Sequence, residues 1–203
     1  MQGGPAVARP GRLLASIVAP IQRRFADPAW VDAVIPTLLI HAVLIVFAVT
    51  ALVVYSPDTL RSEGWQGVWN HWDGPHFLEV AAHGYLSDPA RIVLFPLFPL
   101  LIGLGSWILS PLTAAMGLAL ASSLFAATGL YRLVGLDGDR ETARLSVVAM
   151  NVFPTAFVFV APYSEPLFLA CVVWSFVLAR RGIGPARESS RLWPGQPGCR
   201  APS

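Results

Sequence analysis

Val34-Ile-Pro-Thr-Leu-Leu-Ile-His41-Ala-Val-Leu-Ile-Val-Phe47-Ala-Val-Thr-Ala-Leu-Val-Val54 runs without a single charge. At 1.5 Å of rise per residue, residues 34–54 reach across the roughly 30 Å of a bilayer's hydrocarbon core, so this stretch is predicted to be a spanning helix. A cleaved signal peptide is the rival reading. Its apolar region would be only about 7–15 residues long and would follow its basic residues closely. Here residues 1–33 come first, which favours a retained anchor.

Composition extends the same conclusion to the whole chain. Of its 203 residues 55% are hydrophobic and 13% charged, and the mean hydropathy is +0.59. A water-soluble core could not cover that much apolar surface. At about 20 residues per crossing there is room for about four or five passes in one membrane domain. All 14 basic residues are arginines and the net charge is only +2, which points to membrane orientation and away from nucleic acid. Arg9, Arg12, Arg23 and Arg24 precede the first span, so residues 1–33 are predicted to be cytoplasmic and residues 55–91 to form an external loop. Cys171 lies in an apolar segment and Cys199 in a polar tail, an arrangement that predicts two unpaired thiols.

Residues 92–131 carry no charge but are interrupted by Phe95-Pro96-Leu97-Phe98-Pro99 and by Ser110-Pro111, which reads as two membrane segments meeting at Pro111. A loop over 134–144 holds Asp137, Asp139, Arg140, Glu141 and Arg144. Residues 145–161 and 166–179 are apolar again, and Arg180-Arg181 close the last of them. Charge bias places the 137–144 loop and the Arg180-Arg181 pair inside, whereas four full crossings after the first would place them outside. The conflict is relieved if residues 93–109 dip into the membrane and return, which puts Tyr163-Ser164-Glu165 on the same side as the external loop. The membrane domain is thus predicted over 34–181, with 182–203 a disordered or out-of-frame tail.

The external loop concentrates Trp65, Trp69 and Trp72 with His71, His76 and His83 and the acids Asp73 and Glu79. Aromatic faces pack on the apolar side of a sugar ring, while acids and histidines address its hydroxyls. Asp73-Gly74-Pro75 reads as the start of a short amphipathic helix, with Asp73 as cap and Gly84 as stop. Capping N–H groups would keep Asp73 ionised, as a general base must be. Two plainer readings stand beside this one: Asp73 as a helix cap only, and the tryptophans as an interfacial belt. His71, His76 and His83 lack metal-ligand spacing, so no metal ligands are assigned. His41, within the first span, is expected to be hydrogen-bonded inside the bundle. Glu165, at the edge of two apolar segments, is costly unless it faces a polar cavity, and is a second candidate.

Trp72-Asp73-Gly74, His76-Phe77-Leu78, Ala82-His83-Gly84-Tyr85, Phe95-Pro96-Leu97-Phe98-Pro99-Leu100-Leu101, Phe153-Pro154-Thr155-Ala156-Phe157 and Tyr163-Ser164-Glu165-Pro166-Leu167-Phe168 together resemble the PIG-V type of mannosyltransferase. That family is related to the enzyme that adds the second mannose in glycosylphosphatidylinositol anchor biosynthesis. The resemblance spans roughly residues 69–178. It implies an all-α integral membrane protein, the N-terminal part of a GT-C type multi-spanning bundle with short amphipathic helices in its external loop, in the plasma membrane if the source is bacterial. It further implies transfer of mannose from a polyprenyl-phosphate-mannose donor to a glycolipid or glycan acceptor on the extracytoplasmic side. Asp73 and Glu165 take the positions of the family's acids and are the expected catalytic pair. Trp69, Trp72, His76 and Tyr163 are the expected substrate contacts. No cofactor is demanded, and a divalent metal is left open. Ser164 and Pro166 depart from the commoner Thr and Ser of the family's motif, and a C-terminal truncation is expected because the apolar pattern stops early. The alternative is a non-catalytic membrane protein: a transporter subunit, a scaffold or an inactive remnant. No internal repeat of the transporter kind is visible.

Overall fold

A computed structural model describes residues 29–87 and 89–182, all of them helical or irregular, with no β-strand among the described residues. The four N-terminal arginines, Cys199 and the tail over 183–203 lie outside them.

A π-helical turn, Trp30–Val34, leads into α1 (Ile35–Tyr55). Then come α2 (Pro57–Gly67), α3 (Gly74–His83), α4 (Leu97–Gly105), α5 (Pro111–Val134), α6 (Arg140–Val152) and α7 (Glu165–Arg180). Short 3-10 turns at Tyr85–Ser87, Pro89–Val93 and Ala156–Phe159 fill the links. Among the described residues two helices are long and apolar enough to cross a membrane, Trp30–Tyr55 and Pro111–Val134. The charge-free run over 92–131 therefore holds one such helix and not two. Its first half becomes α4, whose nine residues rise only about 13 Å. The division falls where Ser110, in extended backbone with ψ 148°, accepts from the Thr113 N–H and Pro111 takes the first helical position. The apolar stretch over 145–161 is likewise cut. Phe153 precedes Pro154 and is extended at ψ 142°, so α6 stops at Val152. Asp139 caps α6 through the Thr142 N–H at 2.8 Å, and the Thr142 side chain and N–H hold its carboxyl below the usual range.

The helices sort into two ends. At one, Asp32 beneath α1 takes Arg140 Nε at 2.6 Å and Arg140 Nη2 at 3.2 Å, and the Tyr131 hydroxyl donates to it at 2.8 Å. Asp137 after α5 pairs with Arg180 of α7 at 2.6 and 2.8 Å. At the other end Gln66 of α2 meets Thr113 of α5 at 3.2 Å. So α1 and α5 run antiparallel, and α7 returns alongside α5. Small residues make the α5–α7 approach close: a Cβ on Gly129 would stand 2.8 Å from Trp174 Nε1. Trp174 stacks on Phe125 at 4.7 Å, donates to the Phe125 carbonyl at 2.8 Å, and carries Arg132 over its ring at 5.5 Å.

Between α1 and α6, buried Asn151 donates to Thr37 Oγ1 at 3.1 Å and to the Val147 carbonyl at 2.9 Å. His41 is 2% exposed. The Asn151 side chain lies beside it within the bundle, although neither ring nitrogen makes a hydrogen bond of good geometry among the described residues. Cys171 is a free, exposed thiol.

Candidate active site

The end opposite the Arg140 and Arg180 pairs is built on an apolar platform of Phe77, Phe98, Ile102, Ala115, Ala161 and Tyr163. Phe77 of α3 meets Phe98 of α4 edge to face at 5.1 Å, which fixes the amphipathic α3 over the short α4.

Asp73 precedes α3 as predicted, and Gly84 ends it at φ 74°. The capping role does not follow. An N-cap that works adopts extended backbone, as Ser110 and Asp139 do. Asp73 is already helical at ψ −18° and its side chain bonds no first-turn N–H. Its carboxylate is exposed and makes no hydrogen bond or ion pair among the described residues.

The turn carrying Asp73 is pinned to the segment before α7 at two points. A Cβ on Gly74 would meet Pro162 Cγ at 3.0 Å and Asn70 Oδ1 at 3.1 Å, so a residue without a side chain is what lets the turn press on Pro162. Beside it, the Tyr163 hydroxyl donates to the His71 carbonyl at 3.0 Å. Glu165 follows as the exposed first residue of α7, where a helix N-terminus favours negative charge. Tyr163 is 4% exposed. Burial pushes its phenol up from the usual range, and the carboxylates of Asp73 and Glu165 both push it further. Two acids separated by more than ninety positions of sequence thus act on one phenol.

An aromatic wall stands beside them. Trp72 is 74% exposed and holds a left-handed backbone at φ 50°, unusual for a bulky residue. Its ring lies 6.0 Å from Phe157 and 6.1 Å from His71, and Phe157 lies 6.4 Å from Tyr163. His76, exposed and one turn along α3 from Asp73, shares its face. Trp69 behaves differently: it is half-buried against the platform, with an indole N–H that finds no partner among the described residues. It presents less open ring than Trp72 does. The sequence pattern offers no role for Pro162 or for the His71 carbonyl. Phe157 lay within a quoted motif without an assigned task. Among the described residues no three His, Cys, Asp or Glu side chains converge to hold a metal ion.

No family model matches the chain. No solved structure matches it either. Curated proteins do. The GPI alpha-1,6-mannosyltransferase 2 of Mus musculus is 32% identical over 134 residues, covering 60% of this chain and 27% of that protein. The Rattus norvegicus protein of the same name is 32% identical over 131 residues, with 58% and 26% covered. The Homo sapiens protein is 43% identical over 56 residues, with 28% and 11% covered. The chain thus spans little more than a quarter of the length of the relatives it matches most fully. All three relatives carry one name, and over that part of its length the chain is similar to a membrane glycosyltransferase of the PIG-V kind.

Proposed function

We propose that this chain carries the acid site of a membrane mannosyltransferase that moves mannose from a polyprenyl-phosphate donor to a hydroxyl of a glycolipid or glycan acceptor. The observation that carries the reading is the pinning of the Asp73 turn to the segment that leads into Glu165, through Gly74 on Pro162 and the Tyr163 hydroxyl on the His71 carbonyl, which leaves two unpaired, exposed carboxylates near an exposed tryptophan ring. Arg132, Arg140, Arg144, Arg180 and Arg181 belong to the opposite end. The positive-inside rule assigns that end to the cytoplasm and the acids to the extracytoplasmic face, in a bacterium the outer side of the plasma membrane. The short α4 then lies on the same side as the acids, the arrangement in which residues 93–109 enter the membrane and return.

Asp73 takes the proton of the acceptor hydroxyl. The acceptor oxygen forms a bond to the anomeric carbon as the bond from that carbon to the phosphate oxygen breaks, and the electron pair leaves with the polyprenyl phosphate. With so good a leaving group, one positioned base suffices. The uncapped side chain suits the task, because no helix N–H competes for its lone pairs. Glu165 accepts hydrogen bonds from sugar hydroxyls across Tyr163. Trp72 covers the apolar face of the mannose, and His76 approaches the phosphate.

The test is Asp73→Asn in membranes supplied with radiolabelled polyprenyl-phosphate-mannose. Transfer falls by about 10²–10⁴-fold, the usual worth of a general base, while insertion is unchanged. Retained transfer removes Asp73 as the base. Polyprenyl-phosphate-glucose, run in parallel, tests the sugar: equal turnover of both donors overturns the choice of mannose.

A further inference from the structure

His41 stands near the middle of the helix over Trp30–Tyr55, which is long and apolar enough to span, and it is 2% exposed. An ionisable side chain at such a depth is retained where it faces a partner or a water-filled cavity. Asn151 lies beside it, with an equally buried Oδ1 that makes no hydrogen bond of good geometry among the described residues. That oxygen only accepts, so it can take the proton of one imidazole nitrogen and no more. A neutral imidazole keeps a lone pair on its other nitrogen. One buried acceptor is therefore left over in either tautomer, and a buried acceptor without a donor carries its full desolvation cost.

A donor has a place to sit. A cavity of about 220 Å³ adjoins the ring, with Ile45, Gln66, Thr113, Met116 and Gly117 in its wall. A water needs about 10–15 Å³ of such space, so there is room for several. Apart from His41, no ionisable side chain lines it among the described residues, which suits a small neutral donor and not an ion. The polarity of the wall is graded. At the end that carries the acids stand Gln66 and Thr113, half-buried and bonded to each other at 3.2 Å. Deeper, Ile45, Met116, Leu120 and Val160 offer water nothing until the imidazole is reached. The flank at Gly117 and Leu120 is exposed on the apolar helix α5, where hydrocarbon and not water lies against it.

We propose that this cavity is a water inlet opening at the acid end, and that a water within it donates to the imidazole nitrogen of His41 that Asn151 leaves unmatched. Nothing in it depends on donor, acceptor or turnover, so it stands apart from the transferase reading. It places a second polar site directly behind the segments that hold the acids. The Gln66 and Gly67 carbonyls accept from the Trp69 and Asn70 N–H groups at 3.0 Å, which ties the polar end of the cavity to the turn leading to Asp73. Val160 of the wall stands just before Pro162, on which Gly74 rests.

The first experiment uses the full chain with isotope-labelled histidine in lipid bilayers, and transfers magnetisation from water to the imidazoles by solid-state NMR. His71, His76 and His83 are exposed and serve as internal standards. All 4 histidines should receive water magnetisation. In Gly117→Phe the His41 signal should be lost while those of the three standards stay. A Cβ on Gly117 meets nothing within 4 Å, so the new ring enters open space at the cavity wall, and replacing a glycine inside a helix favours the helix. A His41 dark in the native chain overturns the proposal, as does one that still receives magnetisation in Gly117→Phe.

The second experiment locates the mouth. With Cys171 and Cys199 replaced by serine, silver ion in chloride-free buffer is added to one side of the membrane, and the thiols it leaves unprotected are alkylated after unfolding. His41→Cys should be protected from the same side as Asp58→Cys, a position exposed on α2. Val43→Cys, 67% exposed but facing hydrocarbon, should lose no alkylation. Protection of His41→Cys from the opposite side only, or equal protection of Val43→Cys, overturns the inlet. Because Asp58→Cys defines the side, a chain inserted the other way round leaves this result intact and counts only against the proposed function.

Discussion

Two carboxylates at one end of this bundle are treated differently from those at the other. At the arginine end Asp32 is clasped by Arg140 and Tyr131, Asp137 by Arg180, and Asp139 caps a helix. At the other end Asp58 and Glu79 also pair, with Arg61 and with His83 and Arg91, but Asp73 and Glu165 make no ion pair among the described residues, and both raise the Tyr163 phenol. Paired acids near a membrane surface tie helices together, and their removal should show as lost stability. Acids left unpaired contribute nothing of that kind, and what they gain is availability to a ligand. Architecture and chemistry are therefore separated along the length of α5, which makes each testable without the other.

The largest expected effect sharpens that contrast by a matched pair. Asp73→Asn loses transfer by about 10²–10⁴-fold, while Asp137→Asn, at an exposed ion pair, keeps it within a factor of two or so. Comparable losses in both, measured per inserted molecule, would erase the distinction. Next comes Asp32→Ala. Removing one partner of a buried pair costs about 3–5 kcal/mol, reduced here to about 2 because the Arg140 side chain is 69% exposed. Detergent unfolding should show the loss, with activity per folded molecule intact. Gly74→Ala should behave the other way round. Its new methyl pushes the Asp73 turn from Pro162 and Asn70 by a few tenths of an ångström. Turnover should fall severalfold to about a hundredfold, as misplacement of a catalytic group does, while the melting temperature hardly moves. A large fall in stability would mean that the turn belongs to the scaffold.

The smallest effect is the most direct probe of the two acids. Burial and both carboxylates raise the Tyr163 phenol, so it stays protonated through the ordinary phenol range, and the stabilisation it brings through the His71 carbonyl is lost only as pH rises through the raised value. Difference titration of phenolate absorbance, with Tyr163→Phe as the blank, should place it above a free tyrosine. Asp73→Asn and Glu165→Gln should each bring it partway down. If one of them leaves it in place, that acid does not face the phenol.

Much of this was legible in sequence for identifiable reasons. The run over 34–54 becomes α1 because a long charge-free run has few other uses, and Pro75 and Gly84 bracket α3 because the fixed φ of proline suits a first helical turn and glycine tolerates the positive φ of 74° at which the helix ends. Hydropathy alone could not divide 92–131, since a short buried helix and a spanning one are equally apolar. The prolines and Ser110 held that information, and length settled it. The Asp32–Arg140 pair, 108 positions apart, leaves no periodic trace. The freedom of the Asp73 side chain depended on a backbone angle, which residue type alone does not fix. The convergence of Asp73 with Glu165 needed Gly74 against Pro162, a contact between two residues that carry no chemistry of their own.

Trp72 adds a consequence for how this protein balances competing demands. A left-handed backbone costs a bulky residue about 1–2 kcal/mol, and a ring that stays 74% exposed recovers little of it by burial. Glycine would relax the angle, offset by the roughly 0.5–1 kcal/mol of extra freedom it gives the unfolded chain. Trp72→Gly should therefore leave the fold as stable as before or slightly more so. A screen that ranked variants by thermal endurance alone would accept that change and, with it, discard the most exposed aromatic surface beside the two acids.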